Sequence, residues 1–154
     1  MKIVQIAQIP ELRILSGLPA SGKTTRAKAW VAEDPEHRER INYDDLRVEM
    51  FGPDWKFNRP QEEEMQARAR ATAAIFLNRG VSVVIDNTNL TERVRVRWAD
   101  LGRGLGADVV YEEIDTPREI CIRRDKQRSG SARVGQAVID NMAMRYGLLT
   151  WDDD

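Results

Sequence analysis

An eight-residue run, Gly17-Leu18-Pro19-Ala20-Ser21-Gly22-Lys23-Thr24, has the types and spacing needed to hold a polyphosphate. Its glycines let the backbone curl so that N–H groups converge on one anion, Lys23 can reach the outer phosphates, and the Thr24 hydroxyl can ligate Mg²⁺. The apolar Leu12-Arg13-Ile14-Leu15 precedes it and a helix-forming stretch follows, so a helix opening at Lys23 aims its positive end at the same anion. An ordinary strand-to-helix turn can show the same pattern by chance. The flanking strand and helix favour a nucleotide-phosphate site.

Further charged and polar groups stand after other apolar runs. Asp44 and Arg47 are three apart, on one helix face, which brings a carboxylate and a guanidinium together. The carboxylate can accept the proton of an attacking hydroxyl, and the guanidinium suits a phosphate on the acceptor. Asp44 or Asp45 could equally serve as a helix cap. Asp86 ends an apolar strand, where phosphate-loop proteins place the acid that holds Mg²⁺, and Asn87, Thr88 and Asn89 add neutral groups on the same rim. Capping is the competing role for Asp86. In the basic segment 118–133, Arg124 and Arg128 are four apart, and Arg128 borders a glycine-containing loop from which it could swing over phosphates. Arg93, Arg95, Arg97 and Arg103 form a second basic cluster, either a solvated face or a track for a nucleic-acid backbone.

Elements that would position these groups alternate regularly. Helices are expected over Thr24–Ala32, Leu46–Phe51, Gln61–Asn78, Thr91–Leu105, about 116–127 and Gln136–Tyr146. Strands are expected at Leu12–Leu15, Arg40–Tyr43, Val81–Asp86 and Val109–Ile114. The β-branched run in Val81-Ser82-Val83-Val84-Ile85 suits a central strand buried on both faces. Alternation of this kind implies an α/β fold, a parallel sheet flanked by helices, with ligands at the carboxyl ends of the strands. A helical lid is expected over about 124–136. Between two helices, Gly52-Pro53-Asp54-Trp55-Lys56-Phe57 forms a loop with two aromatics that could wall an acceptor or pack on the core.

The 154 residues suit one domain, taken as 1–154. A net charge of −1 leaves any nucleic-acid partner to local patches. The lone Cys121 excludes an internal disulfide, and the lone His37 excludes multi-histidine metal sites. No apolar run is long enough to span a bilayer, and Met1-Lys2-Ile3-Val4-Gln5-Ile6-Ala7 is too polar for a secretory h-region, so a cytoplasmic location is expected.

Taken together, the phosphate loop, Asn42-Tyr43-Asp44-Asp45-Leu46-Arg47, Asp86-Asn87-Thr88-Asn89-Leu90 and Arg124-Asp125-Lys126-Gln127-Arg128 resemble the 5′-kinase domain of T4-type phage polynucleotide kinase and its bacterial relatives. The resemblance covers most of the chain in one order. It implies a P-loop NTPase-type fold, ATP or another NTP as donor, Mg²⁺, and the 5′-OH ends of DNA or RNA as acceptor in a nucleic-acid repair setting. Carried over by position, it makes Asp44 the general base, with Lys23 and Arg128 neutralising the donor phosphates. Arg47 would grip the phosphate on the 3′ side of the terminal nucleotide. The donor would be held by Gly17, Ala20, Ser21, Gly22, Lys23, Thr24, Thr25, Arg124 and Arg128. On the acceptor side would stand Arg47, Asp86, Asn87, Thr88 and Asn89, with Thr24 and Asp86 on the metal. The phage member carries Asp-Thr-Asn-Leu, which aligns its aspartate with Asn87, whereas this chain has Asp86 one step earlier, as other members do.

The function expected is therefore transfer of a γ-phosphate to a polynucleotide 5′-hydroxyl. Alternatives are a kinase of similar fold acting on a sugar acid, nucleoside or antibiotic, or a nucleotide-binding module without transfer. Family members are often fused to phosphatase or ligase modules, so a chain ending in Trp151-Asp152-Asp153-Asp154 is either a kinase alone or one domain of a longer protein.

Overall fold

The structure, a computed structural model, describes residues 8–146. The runs Met1 to Ala7 and Trp151 to Asp154 lie outside the described residues. Four strands, β1 (Glu11–Ser16), β2 (Arg38–Ile41), β3 (Ser82–Ile85) and β4 (Asp108–Glu113), pair in parallel in the order β2-β3-β1-β4. Between and after them run α1 (Lys23–Glu33), α2 (Tyr43–Phe51), α3 (Arg59–Asn78), α4 (Glu92–Gly104), α5 (Arg118–Lys126) and α6 (Gln136–Arg145). The chain leaves β1 toward β2 and β3 on one side, then returns to β4 on the other. A crevice therefore opens at the carboxyl end of β1, where such sheets bind ligands.

Side-chain alternation fixes the two faces. Leu12 and Ile14 of β1 join Val83 and Ile85 of β3 against Ala69, Ala73 and Trp98 of α3 and α4. Leu15 and Val84 point the other way, onto Ala27 and Trp30 of α1. With Val83, Val84 and Ile85 all buried, β3 is the doubly covered strand its composition predicts. A separate cluster of Leu18, Cys121, Ile139 and Ala143 seats α5 and α6 on the phosphate loop.

Three elements start two or three residues earlier than the sequence expectation. β2 starts two residues earlier, at Arg38. α2 starts at Tyr43, so Asp44 and Asp45 lie in its first turn, and the cap is Asn42, whose side chain accepts the Asp45 N–H at 2.9 Å. α3 starts at Arg59, capped by Asn58 accepting the Gln61 N–H at 3.0 Å. The segment expected to form a lid comprises the end of α5, a 3₁₀ turn at Gly130–Ala132 and the start of α6. Buried Asp125 accepts the backbone N–H groups of Val134 and Gly135 at 2.9 and 2.8 Å, which ties the far end of this loop back to α5. No described helix is long and apolar enough to cross a membrane.

Candidate active site

The loop Gly17–Thr24 turns through left-handed conformations at Ala20 (φ 62°) and Gly22 (φ 103°). A non-glycine residue in that region is strained, a cost commonly met at functional sites. At Gly17, a Cβ would stand 2.7 Å from the Ile114 carbonyl oxygen, so the loop requires glycine there for its close approach to the end of β4. Unlike α2, α3 and α4, whose caps accept backbone N–H groups, α1 has no side-chain cap. Its first-turn donors and positive dipole end are thus left for an anion.

Lys23 is buried beneath this turn and donates to the carbonyls of Gly17 (3.0 Å) and Leu18 (2.6 Å). Burial lowers its pKa from the ordinary 10.5 to about 8, opposed by the negative charge of Asp86 and Asp44 and reinforced by Arg128. An ammonium held between the carbonyls of Gly17 and Leu18 thus lies within the phosphate loop.

Asp86, 1% exposed, accepts the Thr24 hydroxyl at 2.8 Å and Arg40 Nε at 2.8 Å on the same oxygen. Arg40 also pairs with Asp45, so this guanidinium on β2 ties the acid after β3 to α2. Sequence reading missed Arg40, because nothing in a strand-forming run announces a partner 46 positions away.

Asp44 and Arg47 do come together, Arg47 Nη1 donating to Asp44 Oδ1 at 2.7 Å. The Asp44 side chain is 87% exposed. Arg47 is held from behind by Glu62 of α3, with Nε and Nη2 donating to its two carboxylate oxygens at 2.9 and 2.7 Å. That paired contact holds the Glu62 carboxyl below its ordinary range and raises the Arg47 pKa. No sequence signal marks Glu62, whose partner lies 15 positions away.

The remaining expected residues divide. Arg124 reaches the loop, Nη1 donating to the Ser21 carbonyl at 3.2 Å, whereas exposed Arg128 donates only to Ala132 within its own segment, at 3.4 Å. Thr25 is exposed on α1, and the Thr88 carbonyl accepts the Gly17 N–H at 3.1 Å. The Asn87 and Asn89 side chains do not face an open rim. Asn87 Oδ1 accepts the Tyr43 N–H at 2.9 Å, and Asn89 Nδ2 donates to the Leu15 carbonyl at 2.6 Å. Their remaining amide atoms, Asn87 Nδ2 and Asn89 Oδ1, are buried without partners. Both asparagines therefore tie backbone segments together beside the site.

A phosphate loop under an uncapped helix, in a parallel sheet of this order, defines a P-loop protein with a kinase-like fold. The family described as an AAA domain (AAA_33) matches residues 12–149, and the chain belongs to it. Among solved structures, a chain of the Pnkp1/Rnl/Hen1 RNA repair complex superposes with a TM-score of 0.81 and 26% identity, over 94% of this chain and 46% of that one. A chain in another structure of the Pnkp1/Rnl/Hen1 complex gives 0.69 and 28%, over 79% and 41%. The chain thus spans less than half the length of these two relatives. The Mycobacterium tuberculosis APS kinase CysC, in complex with AMPPNP and APS, shares the fold at a TM-score of 0.61 and 22% identity, over 76% of this chain and 69% of its own.

Proposed function

We propose that the chain transfers the γ-phosphoryl group of ATP or another nucleoside triphosphate to the 5′-hydroxyl end of DNA or RNA. The observation that carries this reading is the Asp44–Arg47 pair, clamped by Glu62 and presented at an open rim beside the phosphate loop. A deep pocket would suit a small acceptor. An 87% exposed carboxylate suits the end of a chain too large to enclose. The likeness at 26% identity to a chain of an RNA repair complex supports the same acceptor class.

In the reaction, the acceptor oxygen attacks the γ-phosphorus, the bond from that phosphorus to the bridging oxygen breaks, and the nucleoside diphosphate leaves. The hydroxyl proton passes to Asp44. Lys23, Arg124, Arg128 and the α1 N-terminus oppose the charge on the transferring group and the leaving phosphate. Arg47 has its Nε and one amino group committed to Glu62, so the edge facing Asp44 is the one left to orient an acceptor phosphate. Thr88, whose carbonyl accepts the Gly17 N–H at 3.1 Å, stands beside the phosphate loop.

Thr24 and Asp86 supply one hydroxyl and one carboxylate, 2.8 Å apart beside the loop, a hard-oxygen pair that fits Mg²⁺ completed by substrate phosphates and water. Among the described residues no group of three or more His, Cys, Asp or Glu gathers, which fits a metal brought largely by its nucleotide. When bound, Mg²⁺ neutralises donor phosphate charge.

A labelled γ-phosphate assay offering a 5′-OH oligonucleotide together with small hydroxyl compounds tests the reading. Asp44→Asn should cut transfer to the oligonucleotide by about 100-fold or more while leaving triphosphate affinity intact. Undiminished transfer would remove Asp44 as base. Transfer to small hydroxyls alone would reassign the chain as a small-molecule kinase, and tight triphosphate binding with no transfer would make it a binding module.

A further inference from the structure

The segment between α2 and α3 carries an aromatic array whose order and exposure the phosphotransfer chemistry does not require. Trp55 is fixed on several sides. Phe51 stacks on it at 6.0 Å with 25° between planes. Its Nε1 donates to Gln61 Oε1 at 2.7 Å, and the Arg47 guanidinium carbon lies 5.7 Å from its ring centroid. Phe57 meets Trp55 at 6.3 Å and 74°, yet remains 72% exposed. A large apolar ring in water beside a rigid support is poorly explained by core packing.

Its neighbours narrow what it could take. Lys56 and Arg59 are exposed on either side of Phe57, so the segment alternates cation and aromatic ring. Arg47 joins this array to the proposed reaction centre, its guanidinium carbon over the Trp55 ring and its Nη1 donating to Asp44. Exposed aromatic rings interleaved with cations, continuous with a phosphate-gripping arginine, match single-stranded nucleic acid, because every base offers a π-face and every linkage a phosphate.

We propose that Phe57, propped by Trp55 beside Arg47, is a stacking subsite for a nucleobase of a single-stranded acceptor, with Lys56 meeting its backbone. This assignment rests on the polynucleotide reading of the site and adds the acceptor's form. An unpaired strand can offer both faces of each base, whereas a duplex offers only the outer face of its terminal pair. Trp55 is a positioning residue, and Phe57 makes the contact.

Two 5′-OH hexamers separate the possibilities, oligo(dT) and an abasic strand with the same phosphates and terminal hydroxyl. The native protein should show a KM for oligo(dT) roughly 5- to 100-fold below that for the abasic strand. Phe57→Ala should erase the difference by raising only the oligo(dT) value, with kcat unchanged, and Phe57→Trp should restore it. Anisotropy of labelled oligo(dT), measured without triphosphate, should follow the same order. Equal treatment of both strands by the native protein, or equal losses on both with Phe57→Ala, would overturn the subsite while leaving the kinase reading standing. Oligo(dT) binding that depends on Phe57 with no transfer would sustain the subsite and sink the kinase reading.

Discussion

Glu62 grips Arg47 through two hydrogen bonds, 2.9 Å from Nε and 2.7 Å from Nη2, and so decides which edge of the guanidinium is free. The pair spans α2 and α3 and is only partly exposed, so the glutamate holds the guanidinium in one orientation, which under the proposed function is the one that meets the acceptor.

Glu62→Ala should therefore act on the acceptor side. The KM for a 5′-OH oligonucleotide rises about tenfold or more, while the triphosphate KM holds, and Glu62→Asp recovers part of the loss. Stability falls by roughly 1–3 kcal/mol in denaturant titration, the usual cost of orphaning a charged hydrogen-bond partner. Equal effects on both substrates would reduce Glu62 to a fold-stabilising residue.

Lys23 supplies a pH test with a defined sign. Its pKa in the folded chain is about 8, below the ordinary 10.5, so between these values the unfolded chain binds more protons than the folded one. The Lys23 contribution to stability therefore rises as pH increases from about 8 to 10.5 and is flat below that window. Unfolding free energies of native protein and Lys23→Met, compared across pH 7 to 10.5, should diverge in favour of the native protein only in the upper range. A difference independent of pH would show that Lys23 is not buried as a charge.

Asp86 answers to both Thr24 and Arg40, which makes its replacement a double loss. Asp86→Asn should cost about 1.5–3 kcal/mol by leaving Arg40 with Asp45 alone, and should raise the Mg²⁺ concentration needed for half-maximal transfer. Arg40→Met should move the Mg²⁺ requirement the other way, because it frees the same carboxylate oxygen. Magnesium titrations of the three proteins check both directions.

Asp125 holds the end of the lid loop through the N–H groups of Val134 and Gly135. Asp125→Ala should destabilise the chain by roughly 1–3 kcal/mol and speed proteolysis between residues 127 and 135. Unchanged cleavage there would show that the loop is ordered by other contacts.

What the sequence disclosed, and what it hid, follows the reach of each interaction. The phosphate loop was legible because glycines, lysine and threonine act within eight positions and between adjacent elements. The parallel sheet was legible because β3 is apolar at successive positions. The starts of α2 and α3 lie earlier than the apolar pattern implies, because Asn42 and Asn58 each accept the backbone N–H three positions on, a local capping signal. Arg40, Glu62 and Asp125 were out of reach for a different reason. Their partners lie 46, 15 and 9 to 10 positions away, and only the fold brings them together. The bonds of Asn87 to the first N–H of α2 and of Asn89 to the Leu15 carbonyl of β1 were hidden for the same reason.

The Asp125 tether also limits what the lid can do. Because the segment leaves α5 next to Arg124, which holds the phosphate loop, and returns to a carboxylate on the same helix turn, both of its feet stand on one foundation. Such a segment behaves as a bucket handle. If it serves as a lid, a segment so anchored would carry Arg128 on a short arc, and closure over a donor would be an orientation change with little chain entropy to lose.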